Sequence, residues 1–557
     1  MPRHAARIPD YLRAAARVLP GLRRGTADGP DTAQPGRRAI ARAAWQLACV
    51  SWAGGVALAS SGCATAPPRF ARDPFSLGVA SGAPEPDGFV LWTRLAPEPD
   101  QAHGGMPPGP VTVRWEVAED EGFARIVRSG RTVAHPDLAH SVHVEVQGLK
   151  PERWYHYRFL TGDGANQAVS PTGRTRTAPS PDALPVRLRF AFASCQQFEQ
   201  GYFGAYRHMA EEDLDLVLFL GDYIYESSWG RDHVRAHRGG EPKSLAEYRI
   251  RHAQYRGDPD LQRMHAAAPW LLTWDDHEVD NDYADDRSED LDAAFLARRA
   301  AAYRAYFEHM PLRQAARPEG PAMRLYGRHR FGRLAEFLIL DDRQHRAHQA
   351  CPKPRRGGSN VVDVERCPDL RDPSRSMLGA AQERWLDRCF AESRGRWNLI
   401  GQQTLFSRAD GRPGPGETAW TDGWDGYPVA RQRLLDAIQA RRLANPVLLG
   451  GDVHSNWVCD VKADFADPGS PVVATEFCGT SITSQGRPQA QLDRARDENP
   501  HVRLAESGHR GYGVVELTPE RCTTTLRTVD TVKLPGQRIA TRARFVVESG
   551  RPGARLA

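Results

Sequence analysis

Several things are scarce in this chain, and each scarcity removes a class of explanation. There is no internal repeat and no long low-complexity tract, which argues against solenoids, arrays and disordered linkers. Net charge is scarce once it is located. The formal charge of +5 sits at the front, where residues 1 to 63 hold nine Arg, no Lys and three Asp. Taking these from the 74 basic and 69 acidic residues leaves 65 against 66, so the body is close to neutral and no nucleic-acid partner is expected. Cysteine is sparse at nine, and Cys49 and Cys63 fall in the leader. Of the other seven (195, 351, 367, 389, 459, 478 and 522), Cys351 and Cys367 flank a Pro/Arg/Gly-rich loop and are expected to pair if the chain lies outside the cytoplasm; the odd count leaves one cysteine for other work. What is present, 40% hydrophobic and 26% charged residues over 557 positions, suffices for two or more globular domains.

The leader, residues 1–66, is laid out as an export signal. GRRAIAR (Gly36 to Arg42) precedes AAWQLACVSWAGGVALAS (Ala43 to Ser60), and Arg37-Arg38 resembles a twin-arginine signal, which implies the twin-arginine export machinery as a partner and a periplasmic or secreted location. A retained membrane anchor is the competing reading, but the segment is short and its Gly, Ser and Gln make a poor span. Ser61-Gly62-Cys63 admits a lipid anchor on Cys63, although Leu58 lies two residues too early for a well-formed lipobox. The 36 residues ahead of the arginine pair exceed a usual signal n-region and leave room for a start further in. A monomer is expected, touching membrane only through signal or lipid.

After a Pro-rich link, residues 70–180 carry short alternating segments: FVLWTRL, VTVRWEVAED, SVHVEVQGL and WYHYRFLTG, separated by turn residues. This spacing predicts a small all-β sandwich, fibronectin III-like, with a packing role. From Val186 the pattern changes to an α/β domain over residues 186–540, in which buried-looking strands end in polar clusters. Val186 to Ala193 runs into Ser194-Cys195, Leu214 to Leu220 into Gly221-Asp222, Trp270 to Leu272 into Asp275-Asp276, and Val447 to Leu449 into Gly450-Gly451-Asp452. Phe337 to Leu340 likewise precedes Asp341-Asp342-Arg343, and Leu399-Ile400 precedes Gly401-Gln402-Gln403. In open α/β sheets the carboxyl ends of strands carry the site. Helices are expected over Leu291 to Met310 and Ala380 to Glu392. Strand-like GYGVVEL and CTTTLRTVD should close the same sheet system.

TWDDHEVDNDY (Thr273 to Tyr283) places five carboxylates, His277 and Asn281 within eight residues after an apolar strand. Carboxylates this dense repel one another, and a multivalent cation resolves the conflict; a solvated acidic loop is the alternative. GDYIYE (Gly221 to Glu226) can aim Asp222 and Tyr225 at one ion, and GGDVHSNW (Gly450 to Trp457) supplies Asp452 and His454 at i, i+2.

Taken in order, SC (194, 195), GDYIY (221 to 225), DDHE (275 to 278) and GDVH (451 to 454) resemble the metallophosphoesterase pattern D-x-H, GD-x-x-D/Y, GNH-E/D and GH-x-H. Cys195 stands near the first ligand pair, Asp276 at the asparagine and Asp452 at the first histidine, departures that resemble the alkaline phosphatase D (PhoD-like) family. WDDHEVDN, LDDRQHR, EFCGTSITS and the preceding sandwich resemble it too, over roughly residues 70 to 540. The resemblance implies a four-layer α+β metallophosphoesterase-like sandwich behind the all-β domain, and a site holding ferric iron and calcium. Cys195, Asp222, Tyr225 and His454 suit Fe3+; Asp222 as bridge, Asp276, Asn281 and Asp452 suit Ca2+. Asp275, Asp280 and Asp282 would brace the loop.

The implied function is a secreted phosphoric ester hydrolase, an alkaline phosphatase with phosphodiesterase activity open, in which a metal-activated hydroxide attacks phosphorus. His277 is the candidate general acid and Arg343 the candidate phosphate clamp. Cys195 as a nucleophile is the sharper competitor. The reading from another class is an extracytoplasmic calcium-binding or adhesion protein without catalysis.

Overall fold

The computed structural model describes residues 70–557, so the expected leader with Arg37-Arg38 and Cys63 lies outside the described residues. The described residues fall in one compact unit. Two sheets make its centre. The larger has ten strands; in its middle Leu188–Ala193, Leu216–Leu220 and Trp270–Thr273 run parallel side by side. The second has seven strands, with Ala335–Ile339, Trp397–Gly401, Pro446–Gly450 and Val472–Cys478 parallel at its heart.

Strand alternation explains how the sheets stack. Phe190, Phe192, Leu216, Leu218 and Leu220 face Phe337, Leu399, Val447, Leu449 and Phe477 in one dry core between the sheets. The alternate residues Ala191, Ala193, Val217 and Phe219 face outward onto a second core that includes Tyr248, Met264 and Tyr306. These belong to helices Leu245–Arg256, Pro259–Ala267 and Phe295–His309. On the far side, helices Gly379–Glu392 and Pro428–Ala440 cover the second sheet through Leu386, Phe390, Leu434 and Ile438. The result is the four-layer sandwich that the resemblance implies, its central strands apolar on both faces.

The N-terminal segment is all β. Strands Val79–Glu85, Gly88–Arg94 and Ser141–Val146 face a sheet built on Ile126–Ala134, Val111–Ala118 and Trp154–Thr161, with Phe89, Val113 and Tyr157 in the shared core. Its inner sheet is continuous with the ten-stranded sheet through the parallel bridge Gly82 to Trp270. The strand Ile126–Ala134 escapes sequence reading because Gly130 interrupts it and most of it is solvent-facing.

The helix expected from Leu291 starts at Phe295 instead, because Asp292 accepts the Ala294 and Phe295 amides in a turn. Arg510–Leu517 pairs antiparallel with Leu188–Ala193 and is followed by Arg521–Val529, which closes the sheet as expected. Cys351 and Cys367 are disulfide-bonded; five described cysteines, not one, remain as free buried thiols. No helix among the described residues is long and apolar enough to cross a membrane.

Candidate active site

Four strand ends deliver the chemistry. Cys195 follows Leu188–Ala193, Asp222 follows Leu216–Leu220, Asp276 follows Trp270–Thr273, and Asp452 and His454 follow Pro446–Gly450. Cys195, Asp222, Asp452 and His454 all have left-handed backbones, with φ of 60°, 58°, 61° and 52°. For non-glycine residues such conformations cost about 1–3 kcal/mol each and persist only where surroundings hold them. Part of that hold is space: a Cβ on Gly221 would lie 2.5 Å from the Asp275 amide, and one on Gly451 would lie 2.3 Å from Ser194 Oγ. At Asp222 the hold includes Glu278, which is buried and whose carboxylate accepts the backbone N–H of Asp222 at 3.1 Å, of Asp275 at 2.8 Å, and of Tyr223.

Ligand atoms of Cys195, Asp222 and His454 lie within 4.8 Å of one another. The Tyr225 hydroxyl joins them, donating to Asp222 Oδ2 at 2.7 Å and standing 3.1 Å from His454 Nε2. His454 Nδ1 is 2.9 Å from the Gln485 carbonyl, so Nε2 is the nitrogen left for the cluster. Ser484 Oγ donates to the Tyr225 oxygen at 2.8 Å. Asp222, Asp276 and His277 form a second group within 4.8 Å, and Asp276, Asp282 and Asp422 a third.

The electrostatics call for a cation. Asp222 Oδ1 and Asp452 Oδ2 are buried with no hydrogen-bond partner. Burial, together with repulsion from Asp276 and Asp422 that Arg343 only partly relieves, pushes Asp452 up to about 8. Burial and Asp222 push Glu278 up to about 8; burial, Asp422 and Asp276 push Asp282 up to about 7. Burial and then Asp222 raise both the Cys195 thiol and the Tyr225 phenol well above their ordinary values. Thiol, phenol, imidazole and orphaned carboxylate oxygens converging here fit a trivalent or divalent metal ion, which would supply the missing positive charge.

His277 lines a cleft of about 520 Å³ with Asp276, Asn281, Asp452 and His454. Its Nδ1 is 2.7 Å from Glu226 Oε2, and its ring lies 4.1 Å from that of Tyr225. Burial opposes the imidazolium, but Glu226, Asp276 and Asp222 outweigh it and raise His277 well above the usual histidine range. Asn281, on the cleft lining, donates its side-chain amide to Glu289 at 2.9 Å.

Arg343 is a correction. Its side chain is 1% exposed, its guanidinium pairs with Asp275 and with Asp422 at 2.6 Å, and it stands 3.7 Å from Asp276. It is not at the cleft surface to clamp phosphate; it neutralises the acidic loop from behind, with Arg346 on the other side of Asp422. Asp275 braces through that pair and Asp280 through Arg298 at 2.9 Å. Asp282 lines the cleft beside Asp276.

Sequence reasoning passed over Glu226, Glu278, Asp422 and Ser484. Glu226 and Glu278 stood inside quoted motifs as unassigned acids, and Ser484 inside EFCGTSITS. Asp422, in TDG, reads as an ordinary turn residue, and no local signal marks its pairing with Arg343 and Arg346.

Residues 190–526 match the PhoD-like phosphatase model, and residues 62–179 match the model of the PhoD-like phosphatase N-terminal domain. The chain is 45% identical over 503 residues to alkaline phosphatase D of Bacillus subtilis (strain 168), covering 88% of this chain and 83% of that protein. A solved structure described as "Structure of PhoD" superposes with a TM-score of 0.83 at 45% identity, over 88% of this chain and 93% of that one. With its strand-end cluster, its cleft and its N-terminal β-sandwich, this chain belongs to the PhoD-like phosphatase family.

Proposed function

We propose that the protein is an exported, metal-dependent phosphoester hydrolase, an alkaline phosphatase able to act on diesters as well as monoesters. The observation that carries the reading is the convergence of Cys195, Asp222, Tyr225 and His454 on one point, with orphaned buried oxygens of Asp222 and Asp452 beside a cleft lined by His277. Cys195, Asp222, Tyr225 and His454 would hold Fe3+, and Asp222, Asp276, Asp452 and Asn281 would hold Ca2+. Bound there, the ions would neutralise phosphate oxygens and lower the pKa of a water to the point of ionisation.

The chain's own residues do the rest. The left-handed turns at Cys195, Asp222, Asp452 and His454 pre-set ligand directions before substrate arrives. Gln485 holds His454 with Nε2 inward. Glu226 holds His277 protonated at the cleft wall, where its other nitrogen can hand a proton to the departing alcohol oxygen, a step typically worth about 10²- to 10⁴-fold. Arg343 holds Asp276 well below the usual carboxylate range and so ionised under the site, while Asp422 ties Arg343 to Arg346 behind it. The cleft is lined by residues between Ser227 and Arg487 only, so the N-terminal sandwich serves as support.

Arg37-Arg38, with the apolar run that follows, supports twin-arginine export to the periplasm or beyond, and the Cys351–Cys367 bond suits that compartment. Hydrolysis of p-nitrophenyl phosphate and bis-p-nitrophenyl phosphate by purified protein, abolished by chelation and restored by iron with calcium, is the expected result. Undiminished hydrolysis by protein stripped of both metals would refute it.

A further inference from the structure

Beyond the catalytic cleft lies a second cavity of about 230 Å³, and the two share Trp420, Val453 and Arg487. Its inner walls are Leu405, Trp457, Leu492 and Ala495. We infer that this cavity receives the alcohol-side group of the ester, that this group is a flat aromatic or heteroaromatic ring stacking on Trp420, and that Arg487 contacts the phosphate beside it. The inference rests on the phosphoester reading above.

Arg343 and Arg346 are locked under the cleft by Asp275 and Asp422, which leaves Arg487 as the arginine that lines it. Among the described residues no carboxylate pairs with Arg487, whose guanidinium lies 5.5 Å from the Trp420 ring centre. With no carboxylate to take them, its donors are free for an anion beside the indole. The phosphate would therefore meet Arg487 at the boundary between the two cavities, and what lies beyond the boundary on the substrate is its organic part.

Trp420 is built to be a fixed wall. It ends the strand Thr418–Trp420, which pairs with Val361–Asp363 inside the disulfide-closed segment 351–367. The Thr421 amide donates to the Asn360 carbonyl at 2.9 Å, and Asn360 Nδ2 donates to the Cys351 carbonyl at 2.9 Å. Behind the ring, a Cβ on Gly423 would come within 3.1 Å of it, so the indole is seated against bare backbone. An enclosed apolar cavity of about 150 Å³ accepts benzene. The volume here suits one substituted ring, and Ser455, Asp425 and Arg494 on the lining tolerate heteroatoms.

The test uses full-length, metal-replete protein and phosphonates, which bind without a leaving group and so remove differences in bond reactivity. Inhibition constants for benzylphosphonate and methylphosphonate are measured against hydrolysis of p-nitrophenyl phosphate. A ring stacked on an aromatic side chain should make benzylphosphonate at least about tenfold tighter. Trp420→Ala should reduce that preference to within about twofold, with Trp420→Phe restoring most of it. Ala495→Trp, which fills the cavity from its far wall, should remove the preference while leaving methylphosphonate unchanged. Arg487→Gln should weaken both inhibitors alike.

Equal affinity for the two phosphonates, or a preference untouched by both cavity variants, overturns the inference while the hydrolase reading stands. Equal binding of cyclohexylmethylphosphonate overturns the aromatic assignment. Absence of any hydrolysis by metal-replete protein overturns both readings.

Discussion

Glu278 offers the sharpest check on how the site is held. Its side chain is buried, and both carboxylate oxygens are spent on backbone amides, those of Asp222, Tyr223 and Asp275. It therefore ties the end of strand Leu216–Leu220 to the start of the acidic loop after Trp270–Thr273. Removing the acceptor leaves three buried amides unpaired at about 1–3 kcal/mol each, and because the three share one side chain they do not fully add. Glu278→Ala should then cost about 3–6 kcal/mol. It also frees the left-handed turn that aims Asp222. A displacement of about 1 Å in such a group can cost on the order of 100-fold in rate. The expected outcome is a lower unfolding midpoint in denaturant, reduced bound metal, and kcat/KM down by about two orders of magnitude, with Glu278→Gln intermediate because one acceptor oxygen remains. A Glu278→Ala protein with unchanged stability, metal content and kcat/KM would refute the claim that this carboxylate organises the two strand ends.

Other outcomes follow from the same geometry. His277→Asn should lower kcat by about 10²- to 10⁴-fold on an alkyl phosphate and far less on p-nitrophenyl phosphate, whose leaving group needs no proton; equal losses on both would remove His277 as the acid. Cys351→Ser with Cys367→Ser opens a segment of sequence separation 16 and should cost about 3 kcal/mol, seen as a lower denaturation midpoint and faster proteolysis near residue 355; an unchanged midpoint contradicts it. Burial holds His143 and His501 down to about 4 and His252 to about 3, so all three are neutral in the folded chain. The unfolded chain takes up protons below the ordinary value of 6.5, so their contribution is intact above it and drains as pH falls toward 4. At pH 5.5 the loss is about 1.4 kcal/mol per histidine, and equal unfolding free energies at pH 7.5 and 5.5 would refute it.

The layers of the fold were legible because the central strands are apolar on both faces, as in Leu216–Leu220, and because each ends in a polar cluster. Cys195, Asp222, Tyr225, Asp276, Asp452 and His454 could be picked out for the same reason. What could not be read was the support beneath them. Arg343 looked like a phosphate clamp because a strand-end arginine and a buried ion-pair partner carry the same letter, and only Asp422, 79 residues further on, distinguishes them. Glu278 acts through backbone amides, which leave no trace in side-chain patterning. Trp420 and Arg487 meet only after the chain has passed through a helix and three strands. Sequence spacing reports which groups share a strand end; it is silent on which distant charge neutralises them.

Cys195, Asp222, Tyr225 and His454 would together bind one ferric ion in a site that hydrolyses phosphoesters. Metal analysis and the visible spectrum of purified protein test it together. The account predicts one iron per chain and a tyrosinate or thiolate charge-transfer band that Tyr225→Phe and Cys195→Ser shift or abolish, with hydrolysis tracking iron content. Colourless, iron-free protein that hydrolyses p-nitrophenyl phosphate at full rate, or a coloured protein whose band ignores both substitutions, would contradict it.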